Sequence, residues 1–242
     1  MAEGIVSLTL KSYMKNTNLM LFFSLPALFA FAMPVLVGTP SYNALGGIFL
    51  RTGSIPDLSE FGIGVMVVAL LASLYLLSFA LVNLNIVVKS QRTSTSIKNE
   101  VFKGITTYTV NVFWIFLVAQ LLLLIVQLLT FGMPMQGIIA PVLSLAIVVP
   151  ALFAPAALVI DGLRPFRALQ KSVEITFTKL HYVALWVAIS ICALSVVDGI
   201  ALFLLPHGIG TWAAVLLNAL IIMPFSVVML AQIYMSKYTI IS

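Results

Sequence analysis

Long uncharged apolar runs alternate with short basic segments along this chain of 242 residues. Eleven of its twelve Lys and Arg residues fall in four such segments. Lys11 and Lys15 precede the first apolar run. Lys89, Arg92, Lys98 and Lys103 lie between the second and third, and Arg164, Arg167, Lys171 and Lys179 between the fourth and fifth. Lys237 follows the sixth run, and Arg51 is the exception. A chain of this pattern has few ways to fold, because an apolar run long enough to cross a bilayer must satisfy its own backbone polar groups.

The composition points the same way. Hydrophobic residues make up 62% of the chain and charged residues 8%, against about 45–50% apolar and about 25% charged in soluble domains. A helix crosses the hydrocarbon layer with about 20 apolar residues. Six stretches qualify, at 19–37, 61–88, 105–129, 138–160, 182–205 and 210–235. The third and fourth belong to one uncharged run, divided where Gly132, Pro134, Gln136 and Gly137 signal a turn. Continuous apolarity, rather than alternation at every second residue, selects helices over a barrel. The expected fold is all-α, a single six-span membrane domain covering 1–242.

Basic loops are retained in the cytoplasm. With six crossings, all four basic segments and both termini share that side, whereas five or seven crossings would scatter the charge. The net charge of +5 is then first a topology signal and a contact for anionic lipid. The N-terminus mimics a secretory signal up to Ala30-Phe31-Ala32, but the polytopic remainder favours an uncleaved first span. The expected location is the cell membrane.

Between spans four and five, Pro165 suits the first turn of a new helix. There Phe166, Leu169, Val173, Ile175 and Phe177 alternate with Arg167, Lys171 and Glu174. Such a stripe marks an amphipathic helix lying in the membrane interface, and the stretch around Lys11, Tyr13, Met14 and Lys15 has the same character. The longest loop on the other side, 38–60, carries an apolar patch at Ile48-Phe49-Leu50 that suits partial insertion. Lys-Ser recurs at Lys11-Ser12, Lys89-Ser90 and Lys171-Ser172, each before an outward-going span.

Polar and helix-breaking residues inside the spans mark a candidate path. Gln120 and Gln127, seven residues apart, share a face of span three. Pro150 and Pro155 break span four, as cavity-lining helices are broken in transporters. Asp198 is either an intramembrane carboxylate, a functional signal by default, or an interfacial one if span five ends near Val197. Asn83 and Asn85 suit helix-to-helix hydrogen bonds. Ala184, Ala188 and Cys192 form a small-residue ridge for a close helix contact, with Cys192 as a packing residue.

Catalysis is not expected. Two His, one Cys and seven carboxylates form no metal-ligand spacing and no nucleophile–base set, so no metal and no cofactor is foreseen. Phe61-Gly62-Ile63-Gly64 lacks the third glycine of a phosphate loop. The spans show no paired carboxylates and no acid–Lys relay.

One set of motifs resembles a known family. Pro155-Ala-Ala-Leu-Val-Ile-Asp-Gly162, Ala168-Leu-Gln-Lys-Ser172 and Thr178-Lys-Leu-His181, with Ser12-Tyr13, Asn16, Asn18 and Leu25-Pro26, are similar to the six-span non-catalytic membrane domain of glycerophosphodiester phosphodiesterases and related archaeal and bacterial membrane proteins. The resemblance implies a six-span fold and a cytoplasmic amphipathic segment after span four. It carries no catalytic residue, since that family's soluble barrel has no counterpart here. In outline the chain also resembles the membrane subunit of the crenarchaeal DNA-import system.

These readings point to a channel- or permease-like subunit of a translocation complex. Its expected substrate is a polyanion such as DNA, met at a cytoplasmic mouth formed by Lys89, Arg92, Lys98, Lys103, Arg164, Arg167, Lys171 and Lys179. Membrane lipids, further membrane subunits, a cytoplasmic ATPase and assembly into an oligomer or complex are the partners this implies. A non-transporting scaffold or lipid-organising protein is the alternative.

Overall fold

The structure, a computed structural model, describes residues 2–36, 41–44, 47–50, 60–93, 97–133 and 135–236. Arg51, Lys237 and most of the 38–60 loop fall outside these residues, as do the side chains of Ile48, Phe49, Leu50, Arg92, Lys98, Lys103 and His207. Within that loop the backbone forms an antiparallel hairpin, β1 (Ser41–Ala44) with β2 (Gly47–Leu50), in the register Ser41↔Leu50 to Ala44↔Gly47. Everything else with regular structure is helical.

The helices are α1 (Ala2–Lys15), α2 (Thr17–Leu36), α3 (Glu60–Thr93), α4 (Ile97–Thr130), α5 (Gln136–Leu152), α6 (Ala154–Asp161), α7 (Pro165–Thr178), α8 (Leu180–Leu204), α9 (His207–Leu217) and α10 (Met223–Met235). A five-residue π-segment, Asn218–Ile222, joins α9 to α10. Five helical stretches are long and apolar enough to cross a membrane. A sixth arises if α1 and α2, bent by 89° at Asn16, count as one broken span. This is a helical, multi-pass membrane protein. The amphipathic stretch expected after span four is α7. The helices extend beyond the predicted spans at α3 and α4, because Lys89–Thr93 and Ile97–Lys103 continue the helix past the apolar stretch.

In lipid the hydrophobic effect does not drive helix onto helix, so packing and small residues carry the association. The core lies mostly at one end of the bundle. Residues 82–88 of α3, 153–159 of α5–α6 and 227–229 with 231–235 of α10 are all buried. Ala154, Ala156 and Ala157 let α6 approach closely, and Gly104 lets α4 approach α3, since a Cβ there would collide with the tip of Ile86. Both core clusters share α3 and α10. One adds α1, α4, α5, α6, α7 and α8, and the other adds α2, α9 and the π-segment. Toward the opposite end burial thins out. Phe61, Ile63, Val65, Val67 and Val68 of α3, and Ile138, Val142 and Leu145 of α5, are exposed, as lipid-facing residues are.

Candidate functional site at the packed end of α3, α6 and α10

Span four is interrupted where the two prolines predict. Pro150 is half-buried and Pro155 buried, and the helix breaks between them at Phe153 (φ −96°, ψ 0°). In an unbroken helix the Phe153 amide would bond the Val149 carbonyl. Here the hydroxyl of Ser172, fully buried on α7, stands between them. It accepts the Phe153 N–H at 2.9 Å and donates to the Val149 oxygen at 3.0 Å. A side chain spliced into the i→i−4 ladder is one of the recognised causes of a kink. It also leaves neither backbone group unsatisfied, which matters most where water is scarce. α6 then ends on left-handed Gly162 (φ 64°), whose conformation glycine adopts without strain. The Gly162 and Leu163 amides both reach back to the Ala157 carbonyl, the latter at 3.5 Å, which occupies one of the carbonyls left open at a helix end.

The stump of α6 meets two charged or polar partners. Lys89 of α3 donates from Nζ to the Val159 carbonyl at 3.1 Å, and the Tyr234 hydroxyl of α10 donates to Asp161 Oδ2 at 2.6 Å. Tyr234 is fully buried and its ring lies 6.3 Å from that of Phe153. Break, carboxylate, phenol and ammonium therefore form one contiguous assembly. Sequence reading foresaw no acid–Lys relay. The fold nevertheless brings Lys89 to within two residues of Asp161 along α6. Each sits alone at the end of its own span in the sequence, and only the packing of α3 on α6 reveals the neighbourhood.

α1 is fastened to the same end. Ser12 and Gln91 exchange two bonds: the Ser12 hydroxyl donates to Gln91 Oε1, and Gln91 Nε2 donates to the Ser12 carbonyl at 3.2 Å. The Tyr13 hydroxyl lies 3.4 Å from the Leu220 carbonyl, inside the π-segment. Pro224 has no N–H to offer that carbonyl at α-helical spacing, so a neighbouring helix supplies the donor. Burial raises the Tyr13 phenol above its usual pKa and keeps it a donor. The three Lys-Ser serines, Ser12, Ser90 and Ser172, are all buried.

α7 has three faces. Ala168, Ser172, Ile175 and Thr176 point into the core. Phe166 and Phe177 are exposed on one flank, and Arg167 and the ion pair Lys171–Glu174 occupy the other. Arg164 is exposed, while Lys179 sits 5.9 Å from the centre of the Tyr182 ring. Of the eight basic residues assigned to a mouth, Arg164 and Arg167 have open side chains, and Lys89 is half-buried against α6.

The remaining polar candidates are scattered. Gln120 and Gln127 are half-buried on α4. Asn83 and Asn85 do not bond across to another helix as their position suggests. Each donates back along α3, to Phe79 and Leu81 at 2.8 Å, and leaves its buried Oδ1 without a partner. Asp198 accepts from Asn218 Nδ2 at 2.8 Å. α8 does not end near Val197 but continues to Leu204, because in lipid Gly199 has no better alternative than its intrahelical bonds. Ala184, Ala188 and Cys192 all face outward. Cys192 is therefore not a packing residue within this chain.

Among the described residues no group of three His, Cys, Asp or Glu is placed to hold a metal ion. No protein-family model, curated protein or solved structure matches the chain.

Proposed function

We propose that this protein is a channel- or permease-like subunit of a translocation complex in the cell membrane. It crosses the membrane six times, with both termini and the basic end in the cytoplasm. The observation that carries the reading is the interrupted fourth span, whose backbone is bridged by Ser172 and whose stump is held by Lys89 and Tyr234. A discontinuous helix with polar groups at the break is how transporters build a gate or site at depth. Dense packing at the basic end and lipid-like exposure toward the other fit a path closed on the cytoplasmic side.

A polyanion such as DNA remains the favoured substrate, because Arg164 and Arg167 stand exposed beside the break with Arg92, Lys98 and Lys103 on the neighbouring connection. Phosphate charge is met by such clusters without sequence preference. No catalytic role is assigned. Further membrane subunits and a cytoplasmic ATPase complete the complex in this reading. The test is uptake in cells carrying Arg164→Gln with Arg167→Gln, or Lys98→Gln with Lys103→Gln, pairs that leave positive charge in both loops. Lower uptake at unchanged membrane abundance supports the proposal, and unchanged uptake rejects the basic mouth.

A scaffold is the second reading, and the outward ridge of Ala184, Ala188 and Cys192 favours it, since small residues there suit a contact with another membrane helix. Purified protein that forms oligomers and binds partners yet passes no solute across liposomes decides for the scaffold.

A further inference from the structure

Asp198 stands apart from the cluster at the basic end. It lies about six residues, or about 9 Å, before the end of α8, and the positions beyond it are apolar and exposed: Ile200, Phe203, Leu204, Leu205 and Ile209. Phe203 is 91% exposed. A turn with that surface seats in lipid rather than in water, which puts Asp198 on the hydrocarbon side of it.

A carboxylate at such a place calls for a counter-charge, and among the described residues Asp198 forms no ion pair; the cations of α7, which packs on α8, lie toward the opposite end of α8. No Lys or Arg occurs between residues 180 and 236. α2, which packs on α9 and the π-segment, carries no titratable residue. On α8 the others are His181 and Tyr182 at the far end and exposed Cys192. The π-segment has none, α10 has Tyr234, bonded to Asp161, and the side chain of His207 on α9 is not described.

Asn218 supplies a dipole only. Its Nδ2 donates to Asp198 Oδ1, while its Oδ1, on a residue 4% exposed, has no hydrogen-bond partner. Asn218 also opens the π-segment, a distortion found often at functional sites. A carboxylate and an unpaired amide oxygen thus belong to one hydrogen-bonded pair on facing helices, with no cation from the described residues paired to it.

We infer that Asp198 and Asn218 form a binding site for one sodium ion. The carboxylate neutralises the charge, and Asn218 Oδ1 provides a second oxygen for a sodium ion. The inference rests on the transport reading only for its use, which would be to couple cation entry to substrate movement.

The experiment uses the full chain purified in detergent. Equilibrium binding of radioactive sodium is measured at alkaline pH in choline buffer. Saturable one-site sodium binding is the expected result, and it should weaken about tenfold or more in Asp198→Asn, which keeps the shape of the side chain. If that variant does not fold, Asp198→Glu serves instead and should shift the affinity. The site is overturned if no saturable sodium binding is found, or if the binding is unchanged in these variants. Substrate flux is not read, so that result leaves the transport proposal to its own test.

Discussion

The Ser172 hydroxyl accepts the Phe153 amide at 2.9 Å, and through this one bond α7 is stitched into the interrupted fourth span. The same oxygen donates to Val149. The amphipathic helix is thereby part of the span's own hydrogen-bond ladder. Ser172 is the α7 residue that bonds the break, beside Ala168, Ile175 and Thr176, which pack into the core.

Ser172→Ala tests that coupling. It strips a partner from a buried N–H and a half-buried C=O, and leaving a buried group unsatisfied costs about 1–3 kcal/mol. Denaturant unfolding in detergent should fall by that amount, whereas Thr178→Ala on the exposed face should stay within about 0.5 kcal/mol. An unchanged Ser172→Ala variant would mean that Phe153 and Val149 bond directly once the hydroxyl is gone.

Tyr234→Phe removes the donor to Asp161 while keeping the ring against Phe153. Hydrogen bonds to charged groups contribute about 1.5–3 kcal/mol, so a loss in that range is expected from the same unfolding measurement. Lys89→Met should also destabilise, since the Val159 carbonyl loses its Nζ donor. The double variant should lose less than the sum, because both act on one short stump of helix.

Pro224→Ala restores an amide that Leu220 lacks. Tyr13→Phe should then cost about 0.5–1.5 kcal/mol in the natural background and close to nothing beside Pro224→Ala. The pH dependence follows from the raised phenol. The Tyr13 contribution is fully present below the unfolded value of about 10 and declines as pH rises through the folded value. Tyr13→Phe should remove that alkaline decline, read as the difference between the two stability profiles.

The exposed flank of α7 predicts immersion. Tryptophan placed at Phe166 or Phe177 should be quenched by brominated lipid, and tryptophan at Glu174 on the opposite flank should not. Equal quenching at all three positions would remove the interfacial assignment.

The sequence makes the helices legible because lipid leaves few options. Runs without charge mark the spans, Gly132 to Gly137 marks the turn between α4 and α5, and Pro165 marks the start of α7. Pro150 and Pro155 bracket the break at Phe153. What stays hidden is pairing between distant segments. Nothing local to Ser172 signals Phe153, nineteen residues away, and Lys89 meets Val159 across seventy. The ridge at Ala184, Ala188 and Cys192 reads as a contact surface from spacing alone, but spacing does not say whether the surface faces inward. Tyr13 and Gln91 meet distant partners beside the 89° bend at Asn16 and the π-segment, and neither partnership leaves a trace in the local pattern.

Thiol labelling of topology bears most directly on the whole arrangement. Single cysteines at Lys98, Arg167 and Gly132, in a Cys192→Ser background, are exposed to a membrane-impermeant reagent in intact cells. Labelling at Gly132 alone, with Lys98 and Arg167 reached only after the membrane is permeabilised, is the expected result. Labelling of Lys98 and Arg167 from opposite sides would contradict six crossings and the shared basic end together.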